Sequence, residues 1–289
     1  MSARFRLCLL TCLLPAPVAG ARADEGRAIL DRAITAHGGE DRIARTTVGH
    51  ARMRGKADFP DFPPCDLTWE ETFDLLGRYH RVLHVEAVGR VFRLEYAITG
   101  KTGWLRQGQA EATDVHLKEA PSVERSWQGM LAMLPLVRDE AEELTVLPER
   151  DWKGRRLVGV RATAPREGDL YFDKATGLLA LSRCASPNLL PGKEVVRDLA
   201  YESYKDIDGV RYPTRLTATR DGAPLMDLTV TSIKFLDKVE DRVFAKPVGG
   251  LADAATGPPA EEPAAGPPPA FDLPPLEAAP ARRPCRLRR

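Results

Sequence analysis

The chain has 289 residues, 43% of them apolar and 29% charged, with a formal net charge of +1. That balance is ordinary for a globular protein of one or two domains and excludes a small disulfide-stapled peptide. With no basic excess there is no electrostatic ground for binding nucleic acid.

The first segment reads as a secretory signal peptide. Arg4 and Arg6 precede an apolar run, "LCLLTCLLPAPVAG", that is too short to span a bilayer comfortably, and "ARA" at 21–23 has the small residues that a signal peptidase reads. Cleavage is expected after Ala23, giving an exported, periplasmic chain that begins at Asp24. Cys12 follows Thr11 in the middle of the apolar run, which disfavours a lipoprotein anchor. In an oxidising compartment Cys65, Cys184 and Cys285 remain. Their spacing leaves open either a Cys65–Cys184 bridge or unpaired thiols, and no Cys-x-x-Cys or Cys/His cluster supplies zinc ligands.

The folded part is expected over 24–248 as one domain. Its opening, "DEGRAILDRAITAHGG", places Ala28, Ile29, Ala33 and Ile34 near helical spacing, with Asp24 and Glu25 at the positive end and Gly38–Gly39 as the stop. The period then changes to two. Leu67, Trp69, Glu71, Phe73 and Leu75 alternate with polar residues, and so do Phe92, Leu94, Tyr96 and Ile98. Glycines punctuate the strands at short intervals, which describes a meander of hairpins rather than βαβ units, and no glycine-rich phosphate loop follows any strand.

Two stretches invite a metal reading and are better explained without one. "YKDIDGVRYPTRL" starts as a calcium loop could, but position 217, twelve on from Asp206, is Thr, and Asp208-Gly209 between two strands is a hairpin turn. His80 and His84 would lie on one strand face about 13 Å apart at ~3.3 Å per residue, too far for one ion. No metal and no cofactor is expected.

The strand series is interrupted once. "SVERSWQGMLAMLPLV" has Val123, Trp127, Met130, Leu131 and Leu134 at helical spacing, with Ser122 able to cap the start. Methionines at 130 and 133 add adaptable apolar surface. Such a stripe is either ordinary core or one wall of an apolar pocket, with Trp69, Phe92 and Tyr96 on the facing sheet as the other wall. From Gly249 the composition turns to Pro, Ala and Gly, which cannot offset its ordering entropy. Residues 249–289 are therefore expected to be a disordered tail. The tail ends in five arginines, able to touch an anionic envelope surface or simply to stay solvated.

The blocks "RAITAHGGEDRIARTTVGHARMRG", "SWQGMLAMLPLV", "YFDKATGLLALSRC" and "YKDIDGVRYPTRLTATRDGAPLMDLTVTSIKFLDKVEDRVFAKP" resemble LolA-like proteins, of the periplasmic lipoprotein-carrier superfamily that includes LolA and LolB. The resemblance covers about 24–247. It implies a mainly β (α+β) fold, a curved antiparallel incomplete β-barrel with an N-terminal helix and an inserted helix on the concave face. It also implies that the hollow accepts acyl chains, although no short motif of the carriers carries over residue by residue. The expected function is an exported binder or carrier of a lipid, lipoprotein or similar apolar ligand. The alternative is a non-catalytic structural or interaction module of the cell envelope. An enzyme is not expected: there is no G-x-S-x-G, and Glu71, with Glu95 elsewhere, is the nearest thing to an inward acid and is expected to pair with an arginine.

Overall fold

A computed structural model describes residues 19–58, 63–75, 77–116, 129–163, 167–187 and 194–248. Residues before 19, most of the segment before the inserted helix, and residues from 249 lie outside the described residues.

Helix α1 (Ala19–Ala36) leads through a short helix α2 (Glu40–Ala44) and a 3-10 turn (Arg45–Thr47) into the sheet. The first meander is β1 (Val48–Ala57), β2 (Cys65–Asp74), β3 (Arg78–Ala87), β4 (Arg90–Thr99), β5 (Thr102–Gln107) and β6 (Thr113–His116). Helix α3 (Gly129–Glu140) follows. The second meander is β7 (Leu144–Trp152), β8 (Arg155–Ala162), β9 (Gly168–Asp173), β10 (Leu179–Pro187), β11 (Glu194–Ile207), β12 (Val210–Arg220) and β13 (Ala223–Phe235).

All thirteen strands form one antiparallel sheet in the order β6-β5-β4-β3-β2-β1-β13-β12-β11-β10-β9-β8-β7. The first and last strands pair in its middle, and β6 and β7 are its two outer edges. The sheet is not closed: it is a curved, incomplete barrel, as the family resemblance implies. The connection carrying α3 leaves one edge and arrives at the other. Helix α3 on that connection packs into the core of the concave side.

The hairpins are built as the sequence suggests. Asp208-Gly209 has φ of 53° and 79°, and Asp221-Gly222 has 49° and 84°, the pair of positive values that a type I′ turn needs. Asp206 Oδ1 accepts the Gly209 N–H at 3.0 Å, so that carboxylate is used by the turn.

The main core fills the concave side. Leu30, Ala33 and Ile34 of α1 meet Leu144, Val160 and Ala162 of β7 and β8, while Met130, Leu131, Leu134 and Val137 of α3 join the same cluster with Met53, Tyr201, Tyr212 and Leu216. Helix α1 differs in detail from its sequence reading. Ala28 is exposed, and Leu30, fully buried, takes its place in the stripe Leu30, Ala33, Ile34, His37.

His37 rivets the end of α1 to the sheet. Its Nδ1 donates to the Arg211 carbonyl at 2.7 Å, and its Nε2 accepts the Leu179 N–H at 3.1 Å, tying the end of α1 to β12 and β10. Next to it, a side chain on Gly38 (φ +115°) would meet the Gly209 carbonyl at 2.3 Å, so the helix end sits directly on the β11–β12 turn.

The segment after β13 crosses the outer face of the first meander. Trp104 Nε1 donates to the Phe244 carbonyl at 2.9 Å, Arg78 stacks 4.7 Å over the Phe244 ring, and Lys246 pairs with Asp114 at 2.9 Å. Cys65 is a free thiol, so the Cys65–Cys184 bridge left open by the sequence is not made; Cys65 Sγ contacts the Ala57 carbonyl instead.

Candidate functional site

Cross-strand register defines the site. Trp69 lies opposite Leu83, which lies opposite Leu94; Val85 lies opposite Phe92; Arg81 lies opposite both Glu71 and Tyr96. Residues at these matched positions share one face of β2, β3 and β4. It is the concave face, because Trp69, Leu83 and Val85 pack against the core cluster that contains α3. A second small cluster brings Ala132 of α3 to Phe73 and Tyr79.

Of the residues singled out in the sequence, Met130, Leu131 and Leu134 are buried at 1%, 2% and 0% exposure, within the core. Trp69, Phe92 and Tyr96 are half-buried on the sheet face just described. Trp127 lies outside the described residues. The structure thus brings three positions of the helix stripe and three of the sheet to the same side of the molecule. Along β3 and much of β4, Tyr79, Arg81, Leu83, Val85, Phe92, Leu94 and Tyr96 are all only partly covered.

At the polar centre of this face Glu71 pairs with an arginine as expected, but that arginine, Arg81, was not singled out in the sequence. Arg81 is held by Glu71 in a two-point ion pair, Nε to Oε2 at 2.8 Å and Nη2 to Oε1 at 3.1 Å, with the two side chains 15% and 1% exposed. Trp69 Nε1 also donates to Glu71 Oε2, at 2.9 Å, and Arg81 Nη1 donates to the Tyr96 hydroxyl at 3.3 Å. The guanidinium carbon lies 4.3 Å from the Tyr79 ring centre, 5.0 Å from that of Trp69 and 5.9 Å from that of Tyr96. Burial pulls the Arg81 pKa down, but the Glu71 carboxylate outweighs it and holds the group above its ordinary range. The signal that could have found it is one residue: an arginine at an inward position of "RYHRVLH", opposite the inward acid already noted.

The second acid noted in the sequence, Glu95, is on the opposite face. Burial raises its pKa, yet hydrogen bonds from His80, Arg106 and Arg93 bring it down to about 2. His80 Nε2 lies 3.0 Å from its Oε1 and Arg93 Nη1 2.7 Å from its Oε2. His80 is therefore committed to an ion-pair network. Among the described residues no group of three or more His, Cys, Asp or Glu is placed to hold a metal ion. No helix among them is long and apolar enough to cross a membrane.

Two clefts lie elsewhere. One of about 490 Å³ is bordered by Trp152, Leu181, Ala200, Pro224 and Met226, the other of about 420 Å³ by Arg54, Thr68, His84 and Val91. Neither is lined by any of the six described candidate residues.

No protein-family model matches the sequence, and no curated protein matches it. In structure the chain is similar to a LolA superfamily protein from Nitrosomonas europaea, at 13% identity and a TM-score of 0.46 over 76% of this chain and 97% of that one. It is also similar to a DUF1329 family protein from Desulfovibrio piger, at 11% identity and a TM-score of 0.46 over 78% and 97%. A third similar structure is LprF from Mycobacterium bovis, at 14% identity and a TM-score of 0.29 over 78% and 98%.

Proposed function

We propose that the protein is an exported, periplasmic binder or carrier of an apolar ligand, a lipid or the acyl chains of a lipoprotein, received on the concave face between α3 and β2–β4. The observation that carries this reading is the half-covered apolar surface of Leu83, Val85, Phe92, Leu94 and Tyr96 beside a methionine-bearing helix. A sheet face that packs only as core would bury such side chains fully, as the same sheet does with Leu216, Tyr212 and Leu228. The face offers long apolar contact with few polar groups, the character of a small-molecule site. No part of the reading involves a chemical step, a cofactor or a metal.

The test is titration of a fluorescent polyene fatty acid into the full chain, paired with melting curves. Saturable binding by the wild type, lost in a Phe92→Asp variant that still melts cooperatively, is the expected result. In contrast, Leu131→Glu places an unpaired charge in the core and is expected to unfold the protein. Absence of probe binding by the wild type would overturn the carrier reading. It would put the second one ahead, a structural or interaction module of the envelope, which the deep burial of Met130, Leu131 and Leu134 also suits.

A further inference from the structure

We infer that Arg81 and Tyr96 form the receptor for the head of the ligand, and that this head is a carboxylate, so that the preferred ligand is a long-chain fatty acid. The inference rests on the reading of the concave face as an apolar-ligand site and names the chemistry at its centre.

Glu71, Arg81 and Tyr96 occupy one cross-strand row over β2, β3 and β4. The flanking rows on the same face are Trp69–Leu83–Leu94 and Phe73–Tyr79–Ile98. A single polar row therefore runs through an otherwise apolar and aromatic surface. A buried ion pair contributes little net stability compared with hydrocarbon of the same volume, so its presence asks for another role.

The geometry of the guanidinium supplies one. Glu71 occupies its side edge, Nε and Nη2. Among the described residues that leaves the end edge, one hydrogen on Nη1 and one on Nη2, the fork that matches two carboxylate oxygens. Nη1 also donates to the Tyr96 hydroxyl at 3.3 Å, and a hydroxyl that accepts there keeps its own proton to give. Glu71 thus orients the cation from behind, and the rings of Trp69, Tyr79 and Tyr96 confine it. The acyl chain of such a ligand would extend over Leu83, Val85, Phe92 and Leu94. A cationic head would face the guanidinium, and an ester would accept at the fork without the charge.

The experiment is displacement of the fluorescent polyene fatty acid from the full chain at pH 8 by hexadecanoic acid, its methyl ester and hexadecylamine. The acid is expected to bind about tenfold tighter than the ester, the increment of one charge-assisted hydrogen bond, and the amine more weakly than the ester. In Glu71→Gln/Arg81→Met, which removes both charges together, acid and ester should become equal while the ester keeps its wild-type affinity. Tyr96→Phe and Arg81→Lys, milder changes that decide the matter if the double variant does not fold, should each shrink the preference for the acid. Equal binding of all three by the wild type would overturn the receptor and leave the apolar site standing. So would an acid preference that survives every variant. If none of the three binds, both readings fall.

Discussion

The two halves of the concave face are covered differently, and the contrast explains their residues. Under the second meander the sheet is sealed by α1. Leu30, Ala33 and His37 are all 0% exposed, and β12 buries Val210, Tyr212, Leu216 and Ala218. Its one buried titratable side chain at the helix end has both ring nitrogens satisfied. Under the first meander β3 is half-covered along nearly its whole length, and the polar group at its centre is a charged pair with donors to spare. A helix pressed onto a sheet leaves hydrocarbon and fully satisfied polar atoms. A face meant to receive something else retains partial exposure and unspent hydrogen-bonding capacity.

The largest effect that sharpens this contrast is expected in the open half. Arg81→Ala removes the two-point cationic partner of the Glu71 carboxylate, 1% exposed, and should cost about 3–5 kcal/mol in denaturant unfolding. The double change Glu71→Gln/Arg81→Met should recover most of that. If Arg81→Ala proves nearly neutral, water already reaches Glu71 and the half is wetter than the burial states. In the sealed half, Leu30→Ala should cost about 3 kcal/mol through the cavity it leaves, without changing fatty-acid binding. A loss of binding equal to that of Phe92→Asp would mean that the halves are not separable.

Acid tests the sealed half alone over a defined window. Burial lowers the His37 pKa from 6.5 to about 4, so the folded state holds the ring neutral while the unfolded chain takes up a proton below pH 6.5. Stability from this site is complete above that value and falls by about 1.4 kcal/mol per pH unit between the two pKa values. A His37→Gln variant should be less stable at pH 7.5 and lack this slope, as unfolding at pH 7.5 and 5.5 would reveal. The smallest expected effect is a gain in the open half. Val88, 80% exposed at the β3–β4 turn, has φ of 45°, a region that β-branched residues resist. Val88→Asn should raise stability by about 1 kcal/mol. An unchanged melting temperature would show that the hairpin frays already.

Much of the architecture is legible in the sequence because its signals are local. Period-two alternation, the Asp-Gly turns and the Gly38–Gly39 stop each follow from neighbouring residues, and the inward place of Glu71 follows from counting alternate positions along "DLTWEETFDLL". What stays hidden is pairing at a distance. That Arg81 meets both Glu71 and Tyr96 depends on the register of three strands, which one-dimensional alternation does not state. The substitution of Leu30 for Ala28 in the helix stripe is decided by which way α1 lies on β7 and β8, a tertiary fact. His37 reads as a helix end because its partners, Leu179 and Arg211, are 142 and 174 positions away.

The pairing of β1 with β13 has a consequence for how the chain reaches this state. Gly49 opposite Phe235 and Ala57 opposite Met226 close the longest loops available to the sheet, and every other strand pair is between chain neighbours. Each meander can zip up by itself as short-range hairpins, but their union waits for the last strand. During synthesis the β1 edge therefore stays bare until residues 223–235 have emerged, and a chain stopped at 222 would present that edge to its neighbours. Folding should show a fast phase for the two meanders and a slow one for their joining, and C-terminal truncation into β13 should lead to aggregation rather than to a smaller folded domain.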